Sequence, residues 1–491
     1  MGKFFGGIAL AMCFACSVGC VAVEQSAVVG LEMSPCEPGF EDVVADCGQL
    51  QVYENRQTKT GRIIPINFIR VRAKSGVPTT DAVIELTGGP GAAATANAAG
   101  LIGISNSLAT RDYILVDQRG TGGSNPLDCI KYDFEAEPET FQEMFVFGMM
   151  DTGRIRSCME ELEKRADLTQ YTTSIIADDV DDLRAALGYE TLTLKGGSYG
   201  TTLALEYIRR HEPHTRAALL LGALPTTMNQ TETIARDMED MLMVLFDDCE
   251  GDVACSAAYP NFRQDFHDVL AQVREAPLEI VIPHPQSGEP TPVVVRYEKL
   301  IIAIRYALYS TQLSAGLPIA IDDAKGGDYA RLTQFLPQLI VALGNGVHEG
   351  MWASVRCAEE FPYLDVARAR ALSEGTVLGT ERLDSGQAIC AFWPRGKAAV
   401  DFHEPVVSDV PALVISGEVD ASTPPIAGTN AAKHLSNGRL VLVPKRSHWG
   451  LSGEPCTDGL IDAFIESASV ADLDDRCLGD FKRPPFTMAD G

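Results

Sequence analysis

Short apolar runs alternate with amphipathic segments over much of the chain, and this alternation predicts its architecture. Runs rich in aliphatic and β-branched residues predict strands. Segments with apolar residues at helical spacing, such as 175–187 and 201–210, separate the later runs. Strands without intervening helices, followed by strand–helix alternation, are typical of a mostly parallel sheet covered by helices on both faces. The eight predicted strands are 50–53, 63–71, 82–86, 113–116, 192–194, 217–221, 412–415 and 440–443.

The alternation stops between residues 221 and 412, which predicts an inserted domain. This stretch carries helical patterns, proline-rich loops and four of the chain's cysteines. We therefore expect an α/β core in two parts, 21–222 and 401–491, with a helical cap, 223–400, inserted after the sixth predicted strand. The helical patterns of the cap are 231–246, 262–276, 297–310, 319–325 and 329–343.

Composition and charge exclude several classes of protein. With 46% hydrophobic and 22% charged residues, the 491-residue chain resembles a globular protein rather than a disordered one. Its formal net charge of −27 argues against nucleic acid as a partner, because phosphates are bound by clustered lysine and arginine. The segment 211–214, His-Glu-Pro-His, is one residue short of a His-Glu-x-x-His zinc motif. We expect neither a metal nor a cofactor.

The N-terminus has the pattern of an export signal. Lys3 is followed by an apolar stretch, 4–18, that is too short to span a bilayer comfortably. Ser-Val-Gly-Cys at 17–20 resembles a bacterial lipobox, so residues 1–20 are predicted to be a signal peptide and Cys20 to carry a lipid. Ordinary signal-peptidase cleavage nearby is the alternative. The expected location is the periplasm or cell envelope, with a lipid anchor as the only membrane contact, or else outside the cell.

The cysteine count supports export. Three of the 13 cysteines lie in or beside the predicted signal, which leaves ten. An even number of cysteines in an exported chain indicates a disulfide framework. We expect nearest neighbours to pair, although sequence alone does not fix the connectivity. The expected pairs are Cys36/Cys47, Cys129/Cys158, Cys249/Cys255, Cys357/Cys390 and Cys456/Cys477.

The segment 196–200, Gly-Gly-Ser-Tyr-Gly, carries the clearest chemical signal in the chain. A predicted strand, 192–194, precedes it and a helical pattern follows it. A Gly-x-Ser-x-Gly between a strand and a helix is the nucleophile elbow of an α/β-hydrolase, in which close backbone contacts require the glycines. The motif therefore predicts the α/β-hydrolase fold, with Ser198 as the nucleophile.

A serine nucleophile needs a general base and an acid to orient that base, and in this fold they follow in the order serine, acid, histidine. His448 comes a short loop after the strand 440–443 and is preferred to His434, which lies in a helical pattern. Asp420 follows the strand 412–415 at the apex of a loop, and Glu418 is the alternative acid.

The oxyanion hole requires backbone N–H groups that point at the developing negative charge. One donor is expected from Tyr199, the residue after the nucleophile. The other is expected from the glycine loop 88–91 directly after the strand 82–86, and Gly89 is the candidate. The segment 117–124, Asp-Gln-Arg-Gly-Thr-Gly-Gly-Ser, is interpreted as a structural turn whose charged residues brace this loop.

Taken together, these motifs resemble a known family. Gly-Gly-Pro-Gly at 88–91, the 117–124 segment, the 196–200 segment and Asp420-x-x-Thr-Pro are similar to exported prolyl and tripeptidyl aminopeptidases, which are serine peptidases of the α/β-hydrolase fold. The resemblance runs from about Cys47 to Phe486 and is weakest in the cap. Many prolyl aminopeptidases have histidine before the glycine loop, where this chain has Thr87.

The resemblance implies cleavage at the N-terminus of a peptide substrate, with acidic residues binding the free α-amine. The candidates for that role are Glu359, Glu360 and Glu206. Two other functions remain open from the sequence. An esterase or lipase would use the same triad on an ester, and a catalytically silent binding protein would keep only the fold.

Overall fold

The structure is a computed structural model that describes residues 27–36, 43–77, 79–103, 109–129, 151–284, 287–334, 336 and 347–489. The predicted signal peptide and the lipidation site Cys20 lie outside these residues, as does most of the predicted helix 329–343. Among the helices of the described residues, none is both long and apolar enough to cross a membrane. Export and lipidation therefore stay predictions.

A nine-stranded sheet forms the centre of the molecule, in the order β1-β2-β3-β5-β4-β6-β7-β10-β11. The pairs β1–β2, β2–β3 and β3–β5 are antiparallel, and the other five pairs of this sheet are parallel. The bounds are β1 Val28–Ser34, β2 Ala45–Tyr53, β3 Ile63–Val71, β4 Asp81–Leu86, β5 Asp112–Val116, β6 Thr191–Gly197, β7 Thr215–Leu221, β10 Ala412–Gly417 and β11 Gly438–Val443.

The ninth strand, β1, is the one that the sequence pattern did not predict. It lies at the edge of the sheet and is mostly exposed. An edge strand with one exposed face needs no apolar alternation, and Gly30 and Glu32 interrupt the pattern in β1. The other eight strands of this sheet each contain or match a predicted run.

Helices cover both faces of the sheet. Successive residues of one strand enter opposite cores, since Ile84 belongs to one buried cluster and Val83 to another. The helices are α1 Ala98–Gly103, α2 Thr152–Leu162, α3 Thr173–Ala186, α4 Tyr199–His211, α5 Gln230–Gly251, α6 Val253–Ala258, α7 Phe262–Glu275, α8 Tyr297–Ala307, α9 Thr311–Ser314, α10 Leu317–Lys325, α11 Ala330–Thr333, α12 Glu349–Glu359, α13 Val366–Ser373, α14 Glu381–Cys390, α15 Pro425–Ala432 and α16 Pro455–Ser467.

The inserted region divides between two hydrophobic cores. Helices α5 to α11 bury their apolar residues together in a separate cluster. This part also contains an antiparallel hairpin, β8 Leu278–Pro283 and β9 Pro290–Val295, where the sequence predicted only helices and loops. Helices α12 and α14 contribute instead to the cluster of the main sheet.

Five disulfides lie within the described part of the chain, and each joins a cysteine to the next cysteine along the chain. They match the five expected pairs. The Cys357–Cys390 bond links α12 to α14. Such a framework is typical of proteins from an oxidising compartment.

Candidate active site

Ser198 occupies a sharp turn between β6 and α4. Its backbone has φ 54° and ψ −125°, a conformation that L-residues rarely adopt. The turn also brings backbones very close together. A Cβ atom on Gly200 would lie 1.8 Å from the Leu86 carbonyl oxygen, and one on Gly196 would lie 2.6 Å from the Gly200 oxygen. The two motif glycines are therefore required by space, and the turn presents Ser198 beyond the end of β6.

Asp420 and His448 meet beyond the ends of β10 and β11. His448 Nδ1 lies 2.8 Å from Asp420 Oδ2. The Asp420 carboxylate is fully buried, and its other oxygen accepts hydrogen bonds from the amides of Ser422 at 2.7 Å and Thr423 at 2.9 Å. Although burial opposes the charge, His448 and the bonds from Thr423 hold the pKa of Asp420 below its usual range. The carboxylate is thus suited to orient and stabilise a protonated imidazole.

Thr423 is a third member of this group that the sequence reasoning missed. Its Oγ1 donates to Asp420 Oδ2 at 2.7 Å and lies 3.1 Å from His448 Nδ1. The threonine belongs to the Asp-x-x-Thr-Pro pattern quoted for the resemblance. That pattern could have indicated it, since a hydroxyl three residues after a buried acid can bond back to it.

Ser198 and His448 are connected through the end of β7. The Ser198 amide donates to the Leu221 carbonyl at 2.9 Å. The next residue, Gly222, has φ 60° and lies against the imidazole, because a Cβ atom there would be 3.2 Å from His448 Cε1. Among the hydrogen bonds of the described residues, none joins the Ser198 hydroxyl to His448. Such contacts are often long without substrate and tighten when it binds.

Glu418, the alternative acid, and His434, the alternative base, form hydrogen bonds with other partners. Glu418 accepts a hydrogen bond from the Lys445 amide at 2.9 Å, so it supports the loop before His448 rather than the imidazole. His434 follows α15, and its carbonyl accepts a hydrogen bond from the Ser408 amide at 3.3 Å. The contacts with Asp420 therefore favour His448 as the base.

The two candidate oxyanion donors lie beside the nucleophile. Tyr199 is the first residue of α4, and the N–H of a first helical residue has no acceptor in its own helix. Gly88 packs directly against Ser198, since a Cβ atom on it would lie 2.9 Å from Ser198 Cβ. Gly89 follows with φ 114°, a conformation that suits glycine.

The charged residues of the 117–124 segment each have their own structural partners. Asp117 accepts hydrogen bonds from the amides of Thr95 at 3.0 Å and Gly123 at 2.9 Å, which ties the segment to the chain after the glycine loop. Arg119 is fully buried and forms two bonds with Asp179, at 2.5 and 2.7 Å. Asp117 thus holds the loop region, whereas Arg119 anchors the segment to α3.

The three candidate amine-binding residues differ in how many partners their carboxylates already have. Glu206 is fully buried, and its oxygens accept from Ser174 at 2.6 Å and Arg209 at 2.9 Å, so the expectation that it binds substrate is not supported by its position. Spacing along a helix cannot distinguish a residue that faces a pocket from one that faces the core. Glu360 forms an ion pair with Arg356 at 2.5 Å.

Glu359 lies next to the nucleophile elbow. It accepts hydrogen bonds from the Thr173 amide and hydroxyl, both at 2.6 Å, and that hydroxyl lies 2.7 Å from the Tyr199 hydroxyl. Burial raises the pKa of Glu359 to about 8, and the acids Glu206 and Glu360 act in the same direction. Glu359, Glu360 and Tyr199 line a cavity of about 30 Å³, which has room for a group the size of water or ammonium.

One group of side chains away from the triad has the composition of a metal site. Asp181, His211 and His214 each place a ligand atom within 4.8 Å of the others. Arg184 donates to Asp181 at 2.6 Å and lies 3.1 Å from His214 Nδ1. A guanidinium therefore already supplies the positive charge at this position.

Two family models of known proteins match parts of the chain, and together the two parts contain the candidate triad. A family model described as alpha/beta hydrolase fold matches residues 81–261, which include Ser198. A second, described as TAP-like protein, matches residues 376–477, which include Asp420 and His448. The chain therefore has the α/β-hydrolase fold, and its C-terminal part is similar to TAP-like proteins.

Relatives that match this chain over nearly its whole length are named as peptidases. Serine protease Hip1 of Mycobacterium tuberculosis (strain ATCC 25618 / H37Rv) is 23% identical, over 94% of this chain and 95% of the relative. Tripeptidyl aminopeptidase of Streptomyces coelicolor is 23% identical, over 93% and 87%. A crystal structure of proline iminopeptidase from Mycobacterium smegmatis aligns with a TM-score of 0.38 and 14% identity, over 86% of this chain and 98% of that one.

The elbow geometry predicts opposite outcomes for two neighbouring glycines. Gly200→Ala places a methyl group on the Leu86 carbonyl, so we expect unfolding or a loss of several kcal/mol of stability together with all activity. A Cβ atom on Gly197 would meet nothing within 4 Å, so Gly197→Ala should retain the fold. Thermal unfolding of both variants measures the difference, and equal stability would contradict this account of the turn.

The Thr423 contacts predict a catalytic effect without a large structural one. Thr423→Val keeps the shape but removes the hydroxyl from the buried Asp420 carboxylate, so kcat should fall by about ten-fold or more. Thr423→Ser retains the hydroxyl and should restore most of the rate. Steady-state kinetics with one peptide substrate provides the comparison. Equal rates for the valine and serine variants would show that the hydroxyl plays no part.

Proposed function

We propose that this α/β-hydrolase is a serine peptidase that releases residues from the N-terminus of peptides. The observation that carries the proposal is the His448–Asp420 pair, at 2.8 Å, beyond the same edge of the sheet as the strained Ser198 turn. The relatives named serine protease and tripeptidyl aminopeptidase, which this chain matches over nearly its whole length, support peptide substrates.

The proposed mechanism assigns one role to each residue. Ser198 Oγ attacks the scissile carbonyl while His448 accepts its proton, and His448 then donates that proton to the leaving amine. Asp420 keeps the imidazole oriented and stabilises its positive charge. The amides of Tyr199 and Gly89 stabilise the oxyanion, and water hydrolyses the acyl-enzyme by the same route.

We assign recognition of the substrate's α-amine to Glu359. Its hydrogen bonds through Thr173 link it to the side chain of Tyr199, the residue after the nucleophile. The small cavity beside it admits an ammonium group, and a cation there would favour the ionised form of a carboxyl group that burial otherwise disfavours. Glu360 already has Arg356 as a partner, so it has less capacity for a second cation.

The test uses one peptide sequence with a free or an acetylated N-terminus. The native enzyme should cleave the free peptide much faster, and Ser198→Ala should lower kcat by about four orders of magnitude or more. Glu359→Gln should reduce the preference for the free amine, because it removes the negative charge. Glu275→Gln, at the exposed end of α7, is the matched control and should change nothing.

Three results would count against the assignment. Turnover retained in Ser198→Ala would exclude the serine mechanism. Equal rates on free and acetylated peptides would exclude an aminopeptidase, and faster cleavage of simple esters than of either peptide would favour the esterase alternative.

A further inference from the structure

Three arginines from the inserted region come together beside the triad. Arg305 lies on α8, Arg356 on α12 and Arg382 on α14, and we call them the arginine cluster. Arg305 is 6% exposed and Arg356 is 3% exposed. Arg382 is partly buried. Such a group of largely buried cations is unexpected in a chain whose formal net charge is −27.

Contacts through Tyr309 connect Arg305, one member of the arginine cluster, to His448. The Arg305 guanidinium lies 4.9 Å from the centre of the Tyr309 ring, and the Tyr309 ring lies 4.9 Å from the imidazole of His448. The Tyr309 hydroxyl donates to Ser422 Oγ at 3.0 Å, and Arg305 Nη2 reaches the same oxygen at 3.5 Å. Because the Ser422 amide binds Asp420, the cluster borders the acid–base end of the triad.

Arg356 joins the same network through a glutamine. Its Nη2 donates to Gln230 Oε1 at 2.8 Å, and Gln230 Nε2 donates to the Ser422 carbonyl at 2.8 Å. The loop that carries Asp420 is therefore the common neighbour of Arg305 and Arg356.

The positive charge of the arginine cluster is only partly compensated. Arg356 forms an ion pair with Glu360, but within the described residues no carboxylate lies within 4 Å of a nitrogen of Arg305 or Arg382. The Nε atoms of Arg305 and Arg356 are buried without a hydrogen-bond partner. Burial and the neighbouring guanidiniums of Arg305 and Arg356 lower the pKa of Arg382 to about 10.

An acid that interacts with Arg305 does not remove this imbalance. Asp237 on α5 is close enough to interact electrostatically with Arg305, yet it forms no ion pair with it within 4 Å. Its buried Oδ2 atom also lacks a hydrogen-bond partner. Buried, unpaired charges are costly to a folded protein. A bound anion would satisfy the free guanidinium donors and offset that cost.

Chemistry and position identify the class of anion. A guanidinium presents a planar pair of donors that matches a carboxylate. His448 is the group that protonates the leaving amine in the proposed mechanism, so the departing fragment lies on the His448 side of the scissile bond. A carboxylate in that fragment is either the C-terminus of a short peptide or an acidic side chain.

We propose that the arginine cluster binds a carboxylate of the leaving fragment and makes the enzyme prefer substrates that carry one there. This inference rests on the proposed peptidase function and deepens it, since it adds a charge preference on the far side of the scissile bond. Arg305 and Arg382 supply the positive charge that no ion pair among the described residues compensates. Arg356 is bonded through Gln230 to the loop that carries Asp420, and so holds the arginine cluster beside that loop.

The test compares matched short peptides that all have a free N-terminus. One series ends in a carboxylate or in an amide, and the other carries glutamate or glutamine at the second position after the cleaved bond. We expect kcat/KM to be about 10- to 100-fold higher for the charged member of at least one series. The series that shows the preference identifies which carboxylate is bound.

The same substrates are then used with variants. Arg305→Met and Arg382→Gln should each reduce the ratio of kcat/KM between charged and neutral peptides toward one. The Arg382 side chain makes no hydrogen bond or ion pair with other described residues, so its variant tests charge with little structural change. Arg368→Gln, on the exposed side of α13, is the matched control and should leave the ratio at the native value.

Labelling of Ser198 by a fluorophosphonate separates failure of this inference from failure of the proposed function. If the native enzyme does not label or cleave peptides, the peptidase assignment fails. If it labels and cleaves but treats charged and neutral peptides alike, or if both variants retain the native ratio, the arginine cluster does not bind a substrate carboxylate.

Discussion

The close crossing of α4 over the end of β4 is the constraint on which the rest of the site depends. The Gly200 backbone lies so near the Leu86 carbonyl that no side chain fits between them. That contact holds Ser198 at a positive φ and starts α4 at Tyr199, so the nucleophile and one oxyanion donor are fixed by the same turn. It also brings the glycine loop after β4 against Ser198, where the second donor is expected.

The inserted region takes part in positioning the base. The Ser447 hydroxyl donates to the Leu308 carbonyl at 2.5 Å, and the Trp449 amide donates to the Tyr309 carbonyl at 2.7 Å, so both neighbours of His448 are bonded to the segment that ends α8. The Tyr309 ring also packs against the imidazole. Substrate contacts in this region can therefore influence both specificity and the position of the catalytic histidine.

Sequence reasoning was most successful where one physical rule dominates. Buried strands are continuous apolar runs, so eight strands of the main sheet could be predicted, and close backbone contacts explain the 196–200 motif. It failed where tertiary packing decides, as for the edge strand β1 and the hairpin β8–β9, whose prolines at 283 and 290 read as loops. Spacing could not show that Glu206 is buried against Ser174 of α3. Nor could it show that Arg305, Arg356 and Arg382, which are distant in sequence, come together near His448.

The central claim is that Ser198, His448 and Asp420 act as one proton-transfer unit, and identification of the covalent adduct tests it most directly. The protein is treated with a fluorophosphonate, digested and analysed by mass spectrometry, alongside His448→Gln. We expect an adduct on Ser198 in the native protein and little or none in the variant, because the hydroxyl is a weak nucleophile without its base. Equal labelling of Ser198 in both proteins, or labelling of another residue, would contradict the account.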